Sequence, residues 1–98
     1  MKVSELQGAA LDWAVARCEG GVGKNDLLGA WYAPSTDWAQ GGPIIERERL
    51  ALFIEYPDDW GATDGNRRMP GDTPLIAAMR CYVASKLGDD IELPEEMK

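Results

Sequence analysis

The chain has 98 residues and a net charge of −7, from 17 acidic against 10 basic side chains. That length bounds it to one small domain, spanning 1–98, with a modest core. The charge argues against non-specific DNA or RNA binding, which needs a basic stripe to release counterions, and the absence of histidine removes the usual general base and zinc ligand.

The composition, 45% hydrophobic and 28% charged, is that of a soluble globular protein. A small core makes self-association as a homodimer an expectation. No run approaches the roughly 18 apolar residues of a membrane span. The opening Met1–Trp13 lacks the apolar stretch of a signal peptide, so a cytoplasmic place is expected. Cys18 and Cys81 fit no metal-ligand spacing and read as buried free thiols.

In chain order, Leu11, Ala14, Val15 and Cys18 fall at i, i+3, i+4 and i+7, which predicts a helix from Gly8 to Cys18 with Trp13 on its flank. Gly20-Gly21 ends it with a left-handed cap. Gly21-Val22-Gly23-Lys24 hints at a phosphate loop but lacks the glycine spacing and the Ser or Thr of that motif, and reads as a turn. Leu27–Ala33 is short, aromatic and strand-like, and Pro34 ends it. Ile44–Arg49 stays open between helix and strand, while Leu50–Tyr56 reads as a strand with Leu50, Leu52, Ile54 and Tyr56 on one face. Trp60–Thr63 reads as a return strand. Asp64–Asp72 reads as a polar, mobile loop. Thr73 as N-cap, Pro74 at the first helical position and Gly88 past the last turn frame a central buried helix. Asp89–Leu93 reads as a brief strand. The sum is an α+β domain, two main helices packed on a small, mostly antiparallel sheet.

The blocks MKVSELQGAALDWAVARCEG (Met1–Gly20), YAPSTDWAQGGPIIERE (Tyr32–Glu48) and TPLIAAMRCYVASKLGDDIELP (Thr73–Pro94) together resemble the NinX-like small proteins of tailed phages. Gly21–Leu28 and Leu50–Asp72 match less well. The resemblance implies an accessory phage protein acting in the cytoplasm of an infected bacterium. It carries over no catalytic residue.

One run concentrates the chemistry: Ser35-Thr36-Asp37-Trp38-Ala39-Gln40-Gly41-Gly42-Pro43-Ile44-Ile45-Glu46-Arg47-Glu48-Arg49. Ser35, Thr36 and Asp37 are turn or capping residues. Trp38 offers a stacking face, Gln40 a paired donor and acceptor, and Gly41-Gly42 a backbone able to form an anion nest. Arg47 and Arg49 share one face if extended, and Arg47 supplies a fork for phosphate or carboxylate. Arg80, on an otherwise apolar helix, needs a partner, and Asp37 is a candidate. Ser35, Thr36, Asp37, Trp38, Gln40, Gly41, Gly42, Arg47 and Arg80 thus form a candidate ligand site. The plainer reading makes Trp38 a core plug, the glycines a tight turn, and Arg47 a surface partner of Glu46 or Glu48. Arg67 and Arg68 could close over an anion.

Three functions follow. The first is a non-enzymatic binder that sequesters a small anionic ligand such as a nucleotide immune signal. The second is a protein–protein inhibitor or adaptor acting on a host enzyme. The third, a metal-dependent hydrolase or nuclease using Asp37, Glu46 and Glu48, rests on an unspecific spacing. No cofactor and no resident metal are expected.

Overall fold

The computed structural model describes residues 1–20 and 32–95. The phosphate-loop-like glycines, Trp31 and most of the Leu27–Ala33 strand lie outside them. A 3₁₀ turn at Val3–Glu5 leads into α1 (Gly8–Cys18), then α2 (Trp38–Glu48), the strands β1 (Ala51–Glu55), β2 (Asp59–Thr63) and β3 (Arg68–Gly71), and α3 (Pro74–Leu87). The described strands form one antiparallel sheet in the order β1-β2-β3. This is a small α+β domain.

The central element is α3. Thr73 Oγ1 accepts from the Ile76 amide at 3.1 Å and caps it, and Pro74 occupies the first turn. Leu75, Ala77, Ala78, Met79, Cys81, Tyr82, Val83 and Ala84 are buried, so α3 is covered around nearly its whole circumference. The sheet packs on it, as do α1 and α2. Leu11, Ala14 and Val15 bring α1 into this core as their spacing requires, and Val3 and Leu6 join from the N-terminal turn. Gly20 takes a positive φ after α1.

Three expectations are corrected. The open segment Ile44–Arg49 is helical as far as Glu48, and that helix starts at Trp38, before the glycines. Gly41 and Gly42 are therefore helical rather than a turn or a nest. Gly41 is needed for contact: a Cβ there would sit 2.6 Å from Leu75 Cδ2 and closer still to the Pro34 carbonyl oxygen. Gly42 has nothing within 4 Å of its notional Cβ. Adjacent glycines thus carry opposite predictions. Gly42→Ala should stabilise by up to about 1 kcal/mol through helix propensity, and Gly41→Ala should destabilise by about 1–3 kcal/mol through overpacking. Urea titration of the two variants checks the signs.

Asp64–Asp72 is not all loop, because Arg68–Gly71 pairs with β2, Met69 opposite Ala62. Asp64 Oδ1 accepts from the Asn66 and Arg67 amides at 2.8 and 2.9 Å and closes the hairpin turn. Asp89–Leu93 forms no strand. It meets the N-terminal segment through a single Lys2–Asp90 bridge, flanked by bonds from the Val3 amide to the Asp89 oxygen and from the Ile91 amide to the Met1 oxygen.

Candidate functional site

The Trp38 region is built from its turn. Asp37 caps α2, with Oδ1 accepting from the Ala39 amide at 2.9 Å. Gln40 acts as a clip: its Nε2 donates to Asp37 Oδ2 at 3.0 Å and its Oε1 accepts from the Ala33 amide at 2.9 Å. Ser35 is 1% exposed, and its amide donates to Asp12 Oδ1 on α1 at 2.9 Å. Its Oγ makes no well-formed hydrogen bond among the described residues, yet lies near enough to the same carboxylate to help hold it charged. Trp38 is no core plug. It is 53% exposed and lines a cleft of 170 Å³ with Ser35, Thr36, Thr73 and Leu75.

The two arginines expected here are elsewhere. Trp38 and Arg47 are nine positions apart on one helix, about two and a half turns, so they face opposite sides roughly 13 Å apart along the axis. Because the segment is helical, Arg47 and Arg49 do not share a strand face. Arg49 takes a left-handed φ as the C-cap of α2. Arg80 does not reach Asp37: its Nε donates to the Leu6 carbonyl at 2.7 Å and an Nη to the Pro70 carbonyl at 2.8 Å. Burial pushes its pKa down, against the pull of Asp72. Ser35, Thr36, Asp37, Trp38, Gln40 and Gly41 come together; Arg47 and Arg80 do not join them. Asp37 and Glu48 sit at opposite ends of α2, and among the described residues no group of three or more Asp, Glu, Cys or His side chains could hold a metal ion.

Arg47 instead ties the ends of α1 and α2 to the side of α3. Its guanidinium bonds both oxygens of Glu19 after α1, at 3.2 and 2.6 Å, and donates to Glu48 and to the hydroxyl of Tyr82. Tyr82 donates to Glu19 in turn, and Lys86 pairs with Glu48 at 3.4 Å. Arg47 is half exposed, so this pairing contributes at most about 1 kcal/mol. The hydrogen bond from Arg47 holds the Glu19 carboxyl below its ordinary value, and does the same for Glu48. A carboxyl lowered in the folded state contributes stability above its unfolded pKa and loses it as pH falls through the folded one. Wild-type stability should therefore decline below about pH 4.5, and Glu19→Gln should flatten that decline. Urea midpoints across this range test it.

Neither cysteine is activated. Burial pushes both the Cys18 and the Cys81 thiols up to about 11, and both are free.

A larger cleft lies on another side. Its volume is 540 Å³, and Lys2, Ser4, Arg67, Arg68, Asp89 and Asp90 are among its lining residues. The stitched N-terminal segment brings Lys2 and Ser4 beside the start of β3. An Nη of Arg67 donates to Asp89 Oδ1 at 2.9 Å. Arg68 is held between Glu55, at 3.1 Å, and the Phe53 ring, 4.6 Å from its centroid. Lys2 makes no ion pair among the described residues. Three cations, beside Asp89 and Asp90, thus face one cleft on a chain of net charge −7. The Arg67-Arg68 pair is visible in the sequence. Lys2 carries no local signal, because only the pairing with Asp90 brings it there.

These features define a small α+β domain with an exposed tryptophan and a cleft lined by three cations and two aspartates. A sequence model of the family described as "Bacteriophage P22, NinX" matches residues 27–86. That span is more than half of the chain, and the chain belongs to this family, which marks it as a phage accessory protein. No curated protein matches it. No described helix is long and apolar enough to cross a membrane.

Proposed function

We propose that this phage accessory protein is a non-enzymatic binder of a small anionic ligand of the nucleotide class, sequestering a signal that the infected host uses against the phage. The observation that carries this reading is the cleft of Lys2, Arg67 and Arg68. Its 540 Å³ lies within the roughly 300–1,000 Å³ of small-molecule sites, whereas the 170 Å³ beside Trp38 does not. Arg68 is already oriented by Glu55 and Phe53, which lowers the ordering cost of engaging a phosphate. Asp89 is mostly exposed, so a ligand oxyanion displaces it from Arg67 at a cost of less than about 1 kcal/mol.

The expected result is a nucleotide released on heat denaturation of protein purified from bacteria, and a rise in thermal midpoint with a nucleotide panel. At saturation the rise corresponds to about 2.7 kcal/mol at a hundredfold excess over Kd. Arg67→Ala should weaken binding roughly 10- to 100-fold, the equivalent of one charge-assisted hydrogen bond. Trp38→Ala should bind as wild type does. The absence of both release and a shift across the panel would overturn the reading. The rival, an inhibitor or adaptor for a host enzyme, draws on a different surface.

A further inference from the structure

Apart from Met1, which lies with the N-terminal segment against Ile91, the exposed large apolar side chains of the described residues fall toward one end of the molecule. Trp38, Ile54 and Tyr56 are 53%, 51% and 85% exposed. Ile54 pairs with Trp60, and Trp60 with Gly71, a step of about 10 Å across the sheet. Gly71 abuts the backbone of Ala77 in α3, and Thr73 and Leu75, at the start of that helix, line the cleft beside Trp38. Tyr56 follows at the end of β1. The pairings therefore run from the β1–β2 hairpin to the first turns of α3 and α2.

The rim of this end is acidic. Asp37 adjoins Trp38, Asp58 lies in the β1–β2 turn and Asp59 opens β2, and Asp72 precedes Thr73; all four are exposed. None is in an ion pair among the described residues. Lys2, Arg67 and Arg68 line the cleft at the opposite end of β3, where Arg68 pairs with Thr63. A cavity of 170 Å³ holds one side chain rather than a metabolite, and a cation over an indole face flanked by carboxylates is attracted by both. Two copies meeting through this end would oppose one acidic rim with another, which disfavours a symmetric dimer here.

We propose that this end docks a protein partner that presents a Lys or Arg side chain beside an apolar patch, the cation entering the cleft over Trp38 and the apolar surface covering Ile54 and Tyr56. Large aromatic anchors inside a complementary charged rim are the pattern of binding hot spots. The surface is separate from the anion cleft and does not rest on it.

The test places a photo-crosslinking phenylalanine analogue at position 38 and, in a second sample, at position 56 of the full chain in phage-infected cells. Mass spectrometry then locates the linked peptides. The expected result is the same partner protein from both positions, linked at peptides that carry Lys or Arg. Its yield should fall several-fold in the Asp58→Lys/Asp59→Lys variant and stay unchanged in Arg67→Ala. Links to a second copy of this chain, to different proteins from the two positions, or to none overturn the proposal. So does a yield indifferent to the charge reversal.

Discussion

Gly71→Ala is expected to destabilise the fold by about 2–3 kcal/mol, in the upper part of the overpacking range, and to lower the midpoint by roughly 10–20 °C for a chain of this length. Gly71 is the last residue of β3 and runs under the first turn of α3. A Cβ there would lie 2.8 Å from Ala77 Cα, 3.0 Å from the Ile76 carbonyl carbon and closer still to the Ala77 amide nitrogen. All three are backbone atoms, so no side chain can rotate out of the way. The strand must part from the helix on which the whole sheet packs. Gly61→Ala is the control: its nearest neighbours are Phe53 ring atoms, with Cζ at 2.5 Å, and a side chain can yield at lower cost. Calorimetry of both variants should place Gly71→Ala well below Gly61→Ala. Equal midpoints would mean that the strand–helix contact is looser than described.

The second large effect concerns Asp12, buried on α1. Its carboxylate is the acceptor for the buried Ser35 amide and so ties α1 to the turn that starts α2. Asp12→Ala leaves that amide without its acceptor and should cost about 1–3 kcal/mol. Asp12→Asn keeps an oxygen in place and should not. Burial raises the Asp12 pKa, against the lowering by the Ser35 amide and hydroxyl. An acid whose pKa is raised on folding contributes stability at low pH and loses it as pH rises through the folded value. Asp12→Asn should therefore match the wild type in acid and equal or exceed it at neutral pH. Urea unfolding of both variants at the two pH values checks this. Neutral-pH destabilisation of Asp12→Asn as large as that of Asp12→Ala would show that the charge itself is required.

The helices with regular spacing and clear caps were legible from residues alone. α3 announces itself through Thr73, Pro74 and Gly88, and α1 through Leu11, Ala14 and Val15. α2 was half legible. Gly41-Gly42-Pro43 has the local chemistry of a break, but Gly41 is selected by the approach of Leu75 and Pro34, a tertiary demand with no local trace. β3 was hidden because Arg68 and Pro70 are exposed, leaving Met69 and Gly71 as its buried residues. The exposure of Trp38 could not be read either, since an aromatic in a short motif serves a core or a surface equally well. Arg47 was legible in part: Glu48, one of the two partners its sequence neighbourhood offers, does bond it, but Glu19 and Tyr82 lie far along the chain, as does the Leu6 carbonyl that holds Arg80 in place of Asp37. For the cationic cleft, Arg67 and Arg68 were visible, but their meeting with Lys2 depends on a bridge between the two ends of the described chain.

The most direct test of the central claim is a backbone amide NMR titration of the wild-type protein and Arg67→Ala with adenosine monophosphate as the probe anion. Shifts confined to Lys2, Ser4, Arg67, Arg68, Met69, Asp89 and Asp90, saturating in the wild type and strongly weakened in the variant, are the predicted result. No saturable shift up to about 10 mM, a limit near 3 kcal/mol of binding, or shifts centred on Ser35, Thr36 and Trp38, would contradict it.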